Sequence, residues 1–490
     1  MNINSLVDYQ VNDQPNIMEV RTEKIPPIQS SAYRHTFRLP TTGWLDKNTL
    51  LLFKGVAKDA STSNENCRFN IFSGALGAIK RVQFQVGDYS IQDLSEANLW
   101  ATVNKLHTES PDKQNDYWAH YLHNSIRYKV LETTDRTTFG NGGVMGSIVV
   151  DNDASGINWG TAAGDGAVIN NCRITNNADN NFLNAVPFGL IMPSLSGVNL
   201  PLFLFSDYRV QLIVEFEKDS SKYANKLGNL VGDNFACDSG DIVFEKVEIL
   251  IDQLIYPSAV QDTYLQRTNE AGGYELDFLN VVNVKKTIPV ATANVRQSEE
   301  MSINVANQEV HYVQMLKKFA NNLDDGNDKV LLGQRSQSIS IESVQWNING
   351  TDTYPNPYFS PLSHYNQLSY VLGVDIQVPK ALCVADVNTQ YGMASPVESA
   401  IAGKYKVMGL TLANGNPVIR GGGTNIGNYP IRCRYTRTPH GEVKQTVDAT
   451  ADTKIALTEL DSLNVDFFVA MSRVVKIQRT SRGMSVIVVN

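Results

Sequence analysis

His120 and His123 stand three residues apart in DKQNDYWAHYLHNSIRY, a spacing that puts two imidazoles on one face of a helix, where they could share a metal ion. Such a site needs further ligands. His107 is the nearest candidate, and solvated or packing histidines are the plainer reading. Asp151, Asp153 and Ser155 with Gly156 imitate the first half of a calcium loop, but position 12 falls on Ala162, which has no carboxylate to close it. Asp324, Asp325 and Asp328 around Gly326 read as a solvated turn. Asp93 and Glu96 could pair as the acid and base of a glycosidase, yet nothing in the chain fixes the separation on which that chemistry depends. Ala402-Gly403-Lys404-Tyr405 has a Gly-Lys without the upstream glycine or the hydroxyl of a phosphate loop, and Gly421-Gly422-Gly423 leads into no helix. GxxxxGK[ST], HExxH and GxSxG are absent. The chain is therefore expected to have no catalytic, cofactor-binding or metal-ligating residues.

Asp93 and Glu96 lie in a stretch that the chain repeats. Ile79 to Leu99 (IKRVQFQVGDYSIQDLSEANL) is answered from Ile341 by IESVQWNINGTDTYPNPYFSPLSHYNQL. Val82-Gln83-Phe84 matches Val344-Gln345-Trp346, and Val86 matches Ile348, at an offset of 262 residues. Bulky apolar residues recur at every second position in both copies, the period of a strand with one face in a core. Val82, Phe84, Val86, Val344, Trp346 and Ile348 are expected to face inward, with Gln83 and Gln345 on the opposite face. Each copy leaves its strand through a turn, at Gly87-Asp88 and Asn349-Gly350-Thr351. A second echo, Asn199–Leu204 against Asn464–Val469, falls at an offset of 265. Together they suggest a tandem duplication.

At 490 residues the chain exceeds one core, and two halves are the default. Hydrophobic residues make up 42%, enough for sizeable cores, while charged residues make up only 19%. The balance of 42 basic against 50 acidic residues includes no long basic block, which argues against direct sequence-specific contact with nucleic acid. Cys67, Cys172, Cys237, Cys383 and Cys433 are scattered and odd in number, so neither a zinc ribbon nor a disulfide framework is indicated. The N-terminus MNINSLVDYQVNDQ lacks a charged n-region and an apolar core, and the expected setting is a reducing compartment, not secretion. Phe182 to Phe205 is free of charge over a length that could span a bilayer. Pro187, Pro193, Pro201, Gly189 and Gly197 would break such a helix, so a loop feeding a buried strand fits better.

In chain order, residues 1–30 read as a polar N-terminal arm without strand period, ending in Ile25-Pro26-Pro27-Ile28. Its apolar residues Ile17, Met18, Val20, Ile25 and Ile28 have no core of their own, and such an arm could order against a neighbour. Strands are expected at Tyr33–Leu39, Thr49–Ala57, Leu202–Glu217 and Ile242–Tyr256, the last with Val243, Val247, Ile249 and Ile251 inward. One helix is expected over Asp112–Tyr128, and 133–180 as an elaborated Gly/Asn/Asp-rich loop. After a connection at 257–273, strands are expected at Tyr274–Pro289, Gln308–Phe319, Ile376–Val387, Ala402–Leu412, Pro430–Thr436, Val465–Ile477 and Met484–Val489. The organisation is thus an arm (1–30), a first β-domain (31–256), a linker (257–273) and a second β-domain (274–490). About eight short strands per half, with little helix, point to all-β architecture: two tandem eight-stranded antiparallel jelly rolls with long loops and one short helix in the first half.

IKRVQFQVGDYSIQDLSEANLW, and VNLPLFLFSDYRVQLIVEFE with its Leu200-Pro201-Leu202, resemble strands of the double jelly-roll major capsid proteins of tailless membrane-containing phages, adenovirus-like viruses, virophages, Polinton-like viruses and large eukaryotic DNA viruses, with length and style most like the Polinton-like and virophage group. In the second half Val465-Asp466 lacks the proline, so the copies match imperfectly there. The resemblance implies a non-enzymatic structural protein of the virion. It implies a homotrimer whose six jelly rolls form a pseudo-hexagonal tile of an icosahedral shell. Its partners would be neighbouring trimers, penton and minor capsid proteins, and an inner membrane where one exists; synthesis would be in the host cytoplasm or nucleus. No cofactor is implied. A β-sandwich protein that binds or hydrolyses glycans is the alternative from a different functional class.

Overall fold

The computed structural model describes residues 19–57, 67–69, 74–108, 128–130, 148–150, 173–174, 183–195, 199–226, 242–270, 272–289, 291–292, 297–305, 308–319, 343–353, 407–412, 423–437, 443–445, 454–456, 459–460, 463–480 and 483–489. The first half supplies β1 (Glu19–Ile25), β2 (Arg34–Arg38), β3 (Leu50–Ala57), β4 (Ile79–Val86), β5 (Tyr89–Ser95), β6 (Asn184–Pro187), β7 (Val210–Phe216) and β8 (Ile242–Ile255). The second supplies β9 (Tyr274–Ile288), β10 (Gln297–Ile303), β11 (Glu309–Phe319), β12 (Ser343–Ile348), β13 (Thr351–Asp352), β14 (Val407–Thr411), β15 (Ile431–Arg437) and β16 (Leu463–Thr480). A further strand, β17 (Gly483–Val489), folds back on β16. Helix α1 (Ala97–Thr108) follows β5, and α2 (Ser258–Glu270) joins the halves.

Among the described residues pairing is antiparallel and follows one scheme twice. The first half builds a sheet in the order β1-β8-β3-β6 and another in the order β2-β7-β4-β5. The second half builds β9-β16-β11-β14 and β10-β15-β12-β13. Each strand finds its counterpart eight labels later, and no sheet of described residues mixes the halves. Two four-stranded sheets joined in this order are a jelly roll. The chain holds two of them in tandem, as expected.

The repeated stretch is the β4–β5 hairpin in one roll and the β12–β13 hairpin in the other. Val82, Phe84, Val86, Val344, Trp346 and Ile348 are all buried, as their spacing predicts. Gln83 and Gln345 lie on the other face and are also buried, because further groups cover both. The turns need left-handed backbone, and Gly87 (φ 60) and Asn349-Gly350 (φ 53 and 81) supply it. The second echo has no structural counterpart. Asn199–Leu204 forms a two-residue strand and a 3₁₀ turn, whereas Asn464–Val469 lies inside the long strand β16. True counterparts late in the rolls, β7 and β15, begin at Val210 and Ile431, an offset of 221, because the first roll spends more chain between β5 and β6 than the second spends between β13 and β14.

The arm expectation is corrected from Glu19 onward. Glu19–Ile25 is β1, fully registered against Ile249–Ile255 of β8, and Gln29–Ser30 pairs with β2. Its strand character was invisible because six of its seven residues, all but Ile25, are exposed or half-exposed, so no alternation marks an inward face. Residues 1–18 lie outside the described residues. Deleting residues 2–24 is therefore expected to remove most of β1 and lower the melting temperature of the first roll; an unchanged melt would restore the arm reading. Val243 is corrected too. A bulge between Glu245 and Glu248, with Lys246 at φ 49, flips the parity of β8, so Ile242 and Phe244 point inward before it and Val247, Ile249 and Ile251 after it.

Most of the helix expected at Asp112–Tyr128 lies outside the described residues; Tyr128 begins a short strand. The helices that are described were not foreseen. In α1, Ala97 through Thr102 are buried one after another, which erases any helical period. In α2 only Tyr264 and Thr268 are buried, and it fills the segment read as linker. The charge-free stretch 182–205 is broken, where described, into strand, single helical turns and 3₁₀ turns, and no helix of described residues is long and apolar enough to cross a membrane.

One apolar cluster fills the first roll and continues into the seam between the rolls; a second fills the other roll. Strand β16 shows why. Val465, Phe467 and Val469 enter the second core, while Phe468 and Ala470 turn to the seam. Buried there on both faces, it reads as an unbroken apolar run from Phe467 to Met471.

Candidate functional site

A cleft of about 410 Å³ opens where the outer face of the β2-β7-β4-β5 sheet meets β9. Alternation puts Arg34, Glu215, Arg81 and Asp93 on that face, one on each strand in turn. Arg34 lies 3.5 Å from Glu215, and Glu215 lies 3.8 Å from Arg81. Arg81 then clamps Asp93 with both arms of its fork, Nε to Oδ1 at 2.8 Å and Nη2 to Oδ2 at 2.6 Å. Gln83 donates from Nε2 to Oδ2 at 2.8 Å. Burial pushes the Asp93 carboxyl up, but the bonds from Arg81 and Gln83 outweigh it and hold the group below the usual carboxylate range.

Glu96 sits at the corner between β5 and α1 with φ 54, a strained backbone for a non-glycine residue. Its carbonyl accepts the first helical N–H groups, from Leu99 at 3.1 Å and Trp100 at 3.2 Å. Its carboxylate accepts from Lys285 Nζ of β9, so the strained corner aims a buried charge across the seam. Burial alone would lower the Lys285 ammonium, yet Glu96, with Asp466 and Glu217 nearby, raises it. Asp466, buried in β16, accepts from Asn283 at 3.1 Å. Glu217 is held by Lys80 at 3.3 Å and Lys222 at 3.4 Å. Two further bonds cross the seam: Arg473 Nη1 to the Ile91 carbonyl at 2.7 Å and Gln314 Nε2 to Asn104 Oδ1 at 3.2 Å. Tyr312 is buried there, and burial pushes its hydroxyl up to about 12.

The structure thus brings Asp93 and Glu96 to one cleft, as their acid–base pairing required, but commits each to a cation. A general acid must keep its proton near neutral pH, which calls for a carboxyl pushed upward. Asp93 is pushed the other way. The cleft fastens the rolls together. Sequence reasoning missed Arg81, Lys285 and Arg473. Strand parity places Arg81 and Lys285 on outer faces, but a partner 189 residues away leaves no local signal. Most of the remaining sequence candidates lie where the structure describes nothing. His107 lies in α1 with its side chain outside the described part; His120, His123, Asp151, Asp153, Asp324, Asp325 and Asp328 lie outside the described residues. Gly423 donates its N–H to Glu309 at 2.9 Å and enters a short strand beside β11, not a helix. Among the described residues no group of three or more metal-ligating side chains converges.

The ladder carries an acid-sensitivity prediction. A carboxyl lowered in the folded state contributes stability above its ordinary value near 3.8 and loses it as pH falls through the folded value. Arg81→Ala is expected to cost no more than about 1 kcal/mol at pH 7, since more than a third of each partner meets water. Denaturant titrations of both proteins from pH 7 down to about 2.5 check this, and the difference should vanish at the acid end. A difference that persists there would show that Arg81 acts by packing instead.

No protein-family model and no curated protein matches the chain. Solved structures do. VP54 of PBCV-1, in a crystal structure fitted into a reconstruction of the virophage Sputnik, has a TM-score of 0.56 at 12% identity, covering 96% of this chain and 97% of that one. The mavirus major capsid protein has a TM-score of 0.51 at 9% identity, covering 96% and 90%. The Faustovirus major capsid protein has a TM-score of 0.50 at 10% identity, covering 93% and 90%. At such identities the likeness is one of fold, and the shared fold is the double jelly roll.

Proposed function

We propose that this chain is a major capsid protein, working as a homotrimer that tiles the icosahedral shell of a virion. The observation that carries the reading is the pair of complete jelly rolls, identical in sheet order and fastened along a mixed apolar and ionic seam. That arrangement spans nearly the whole length of known capsid chains. Two similar rolls under threefold symmetry present six similar sides, so one subunit type can meet its neighbours through nearly equivalent contacts. The role is structural and non-enzymatic, and the clamped carboxylates of the cleft support that. Penton and minor capsid proteins, and an inner membrane where present, are the further partners this reading expects. We also propose the domain boundary within 257–273, where α2 lies. Light scattering on the purified protein is expected to give three times the subunit mass, and negative-stain images should show six-sided particles. A monodisperse monomer at high concentration would overturn the trimer.

A further inference from the structure

Among the described residues, each roll buries one histidine in the same chemical situation. His35, on β2, is 3% exposed, and His311, on β11, is 1% exposed. In each, one ring nitrogen meets a serine hydroxyl: His35 Nδ1 and Ser30 Oγ at 3.0 Å, His311 Nε2 and Ser472 Oγ at 2.6 Å. In each, the other nitrogen, His35 Nε2 or His311 Nδ1, is buried with no hydrogen-bond partner. Each also sits where its ladder is short or interrupted. His35 is registered against Ser30 in the two-residue strand Gln29–Ser30 at the sheet edge, and His311 is the extra residue of a bulge between β11 and β16.

We propose that His35 and His311 form an acid-sensing pair, one in each jelly roll, whose protonation loosens the subunit at these two points as the pH falls below about 6.5. The purpose, release of the shell in an acidic compartment, rests on the capsid reading; the proton linkage does not.

Protonation makes both ring nitrogens donors. In these sites the second N–H would be buried where that nitrogen has no hydrogen-bond partner, and the ring would carry a buried charge. The surroundings of His35 offer no counter-charge. From β7 it meets Val214 in register and the Phe216 ring at 5.5 Å, and from the edge strand Ser30. Phe216 in turn stacks on Phe244 and packs against Phe53. Arg34 and Glu215, the charges beside it in sequence and register, face the other side of the sheet and bind each other at 3.5 Å. Around His311, β16 supplies Ser472, while the adjacent Arg473 turns to Ile91. Leu412 donates to the His311 carbonyl. Glu309 on the same strand lies 3.8 Å from Nε2 and also accepts the Gly423 N–H, so it offsets part of the cost. The acid response is expected to be steeper at His35.

The sign follows from linkage. Burial lowers both imidazoles from the ordinary 6.5, so below that value an opened state binds more protons than the closed one. Opening should then grow by up to roughly tenfold per pH unit at each histidine, until the closed-state value is reached.

Amide hydrogen exchange followed by mass spectrometry on the purified full chain, corrected for intrinsic rates, tests this between pH 7.5 and 5. Peptides covering β2 and β11 should open several-fold to tenfold more per unit below 6.5. His35→Gln should flatten the response at β2 alone, and His311→Gln that at β11 alone. Exchange at the imidazole C2 carbon of the unaltered protein reports each titration without any variant, and both should titrate below 6.5. Opening independent of pH, a response unchanged in the double variant, or imidazoles titrating at or above 6.5 would overturn the proposal. Should the protein form no shell, the linkage would still be measured and only its purpose would fall.

Discussion

Trp346→Ala is expected to take about 3–5 kcal/mol from the second jelly roll, and Phe84→Ala a similar amount from the first. Both side chains are essentially fully buried at the centre of the repeated hairpin strand. Trp346 meets the Phe467 ring edge-on at 6.2 Å and stands opposite Cys433, itself buried, in β15. Phe84 stands opposite Leu212, also fully buried. Neighbours held in two facing sheets cannot collapse into the space left, so the cavity cost adds to the lost transfer free energy. Trp346→Phe is the control. The Trp346 Nε1–H has no hydrogen-bond partner, so phenylalanine keeps much of the ring volume and leaves no new polar group unpaired. It should cost clearly less than alanine. Because each residue serves a different core, the two alanine effects should add. Denaturant melts check both, and a loss below 1 kcal/mol at either position would mean that the site repacks.

Phe468→Ala should act differently, by uncoupling the rolls. Phe468 is 1% exposed and belongs to the seam, registered between Asn283 of β9 and Gln314 of β11. Truncation is expected to cost about 3–5 kcal/mol, drawn from the contact between rolls rather than from either core. The seam's polar bonds, Lys285 to Glu96, Arg473 to Ile91 and Gln314 to Asn104, then lose the apolar surround that excludes water from them. Scanning calorimetry should show the single transition broaden or split, whereas Phe84→Ala should lower it without splitting it. A single sharp transition displaced to lower temperature would show that the rolls remain one cooperative unit without Phe468.

Much of the architecture was legible along the chain. Strands with one face in a core announce themselves by a period of two, and β4, β12 and β15 were read close to their bounds; β3 and β11, buried on successive residues, were legible instead as apolar runs. The hairpin turns were legible because left-handed backbone selects glycine and asparagine, at Gly87 and at Asn349-Gly350. Duplication was legible only where the intervening loops match in length. Past β13 the offset changes, and the echo at Asn464 lured the comparison into the wrong strand.

Residue types and spacing by themselves determined that this is a β-protein of two similar halves, that Phe84 and Trp346 anchor the cores, and that no familiar catalytic motif is present. These are local properties, set by which side of a strand a residue occupies and by which backbone a turn demands. The tertiary structure alone decided that Glu19–Ile25 is a strand, that the bulge at Lys246 turns Val243 outward, and that Arg81 captures Asp93. It alone brought Lys285 to Glu96 and left one ring nitrogen each of His35 and His311 without a partner. Each of these depends on what arrives from a distant segment. An edge strand needs its partner before it has a face, and a buried charge or imidazole takes its character from whatever the fold packs around it, which no short window of sequence contains.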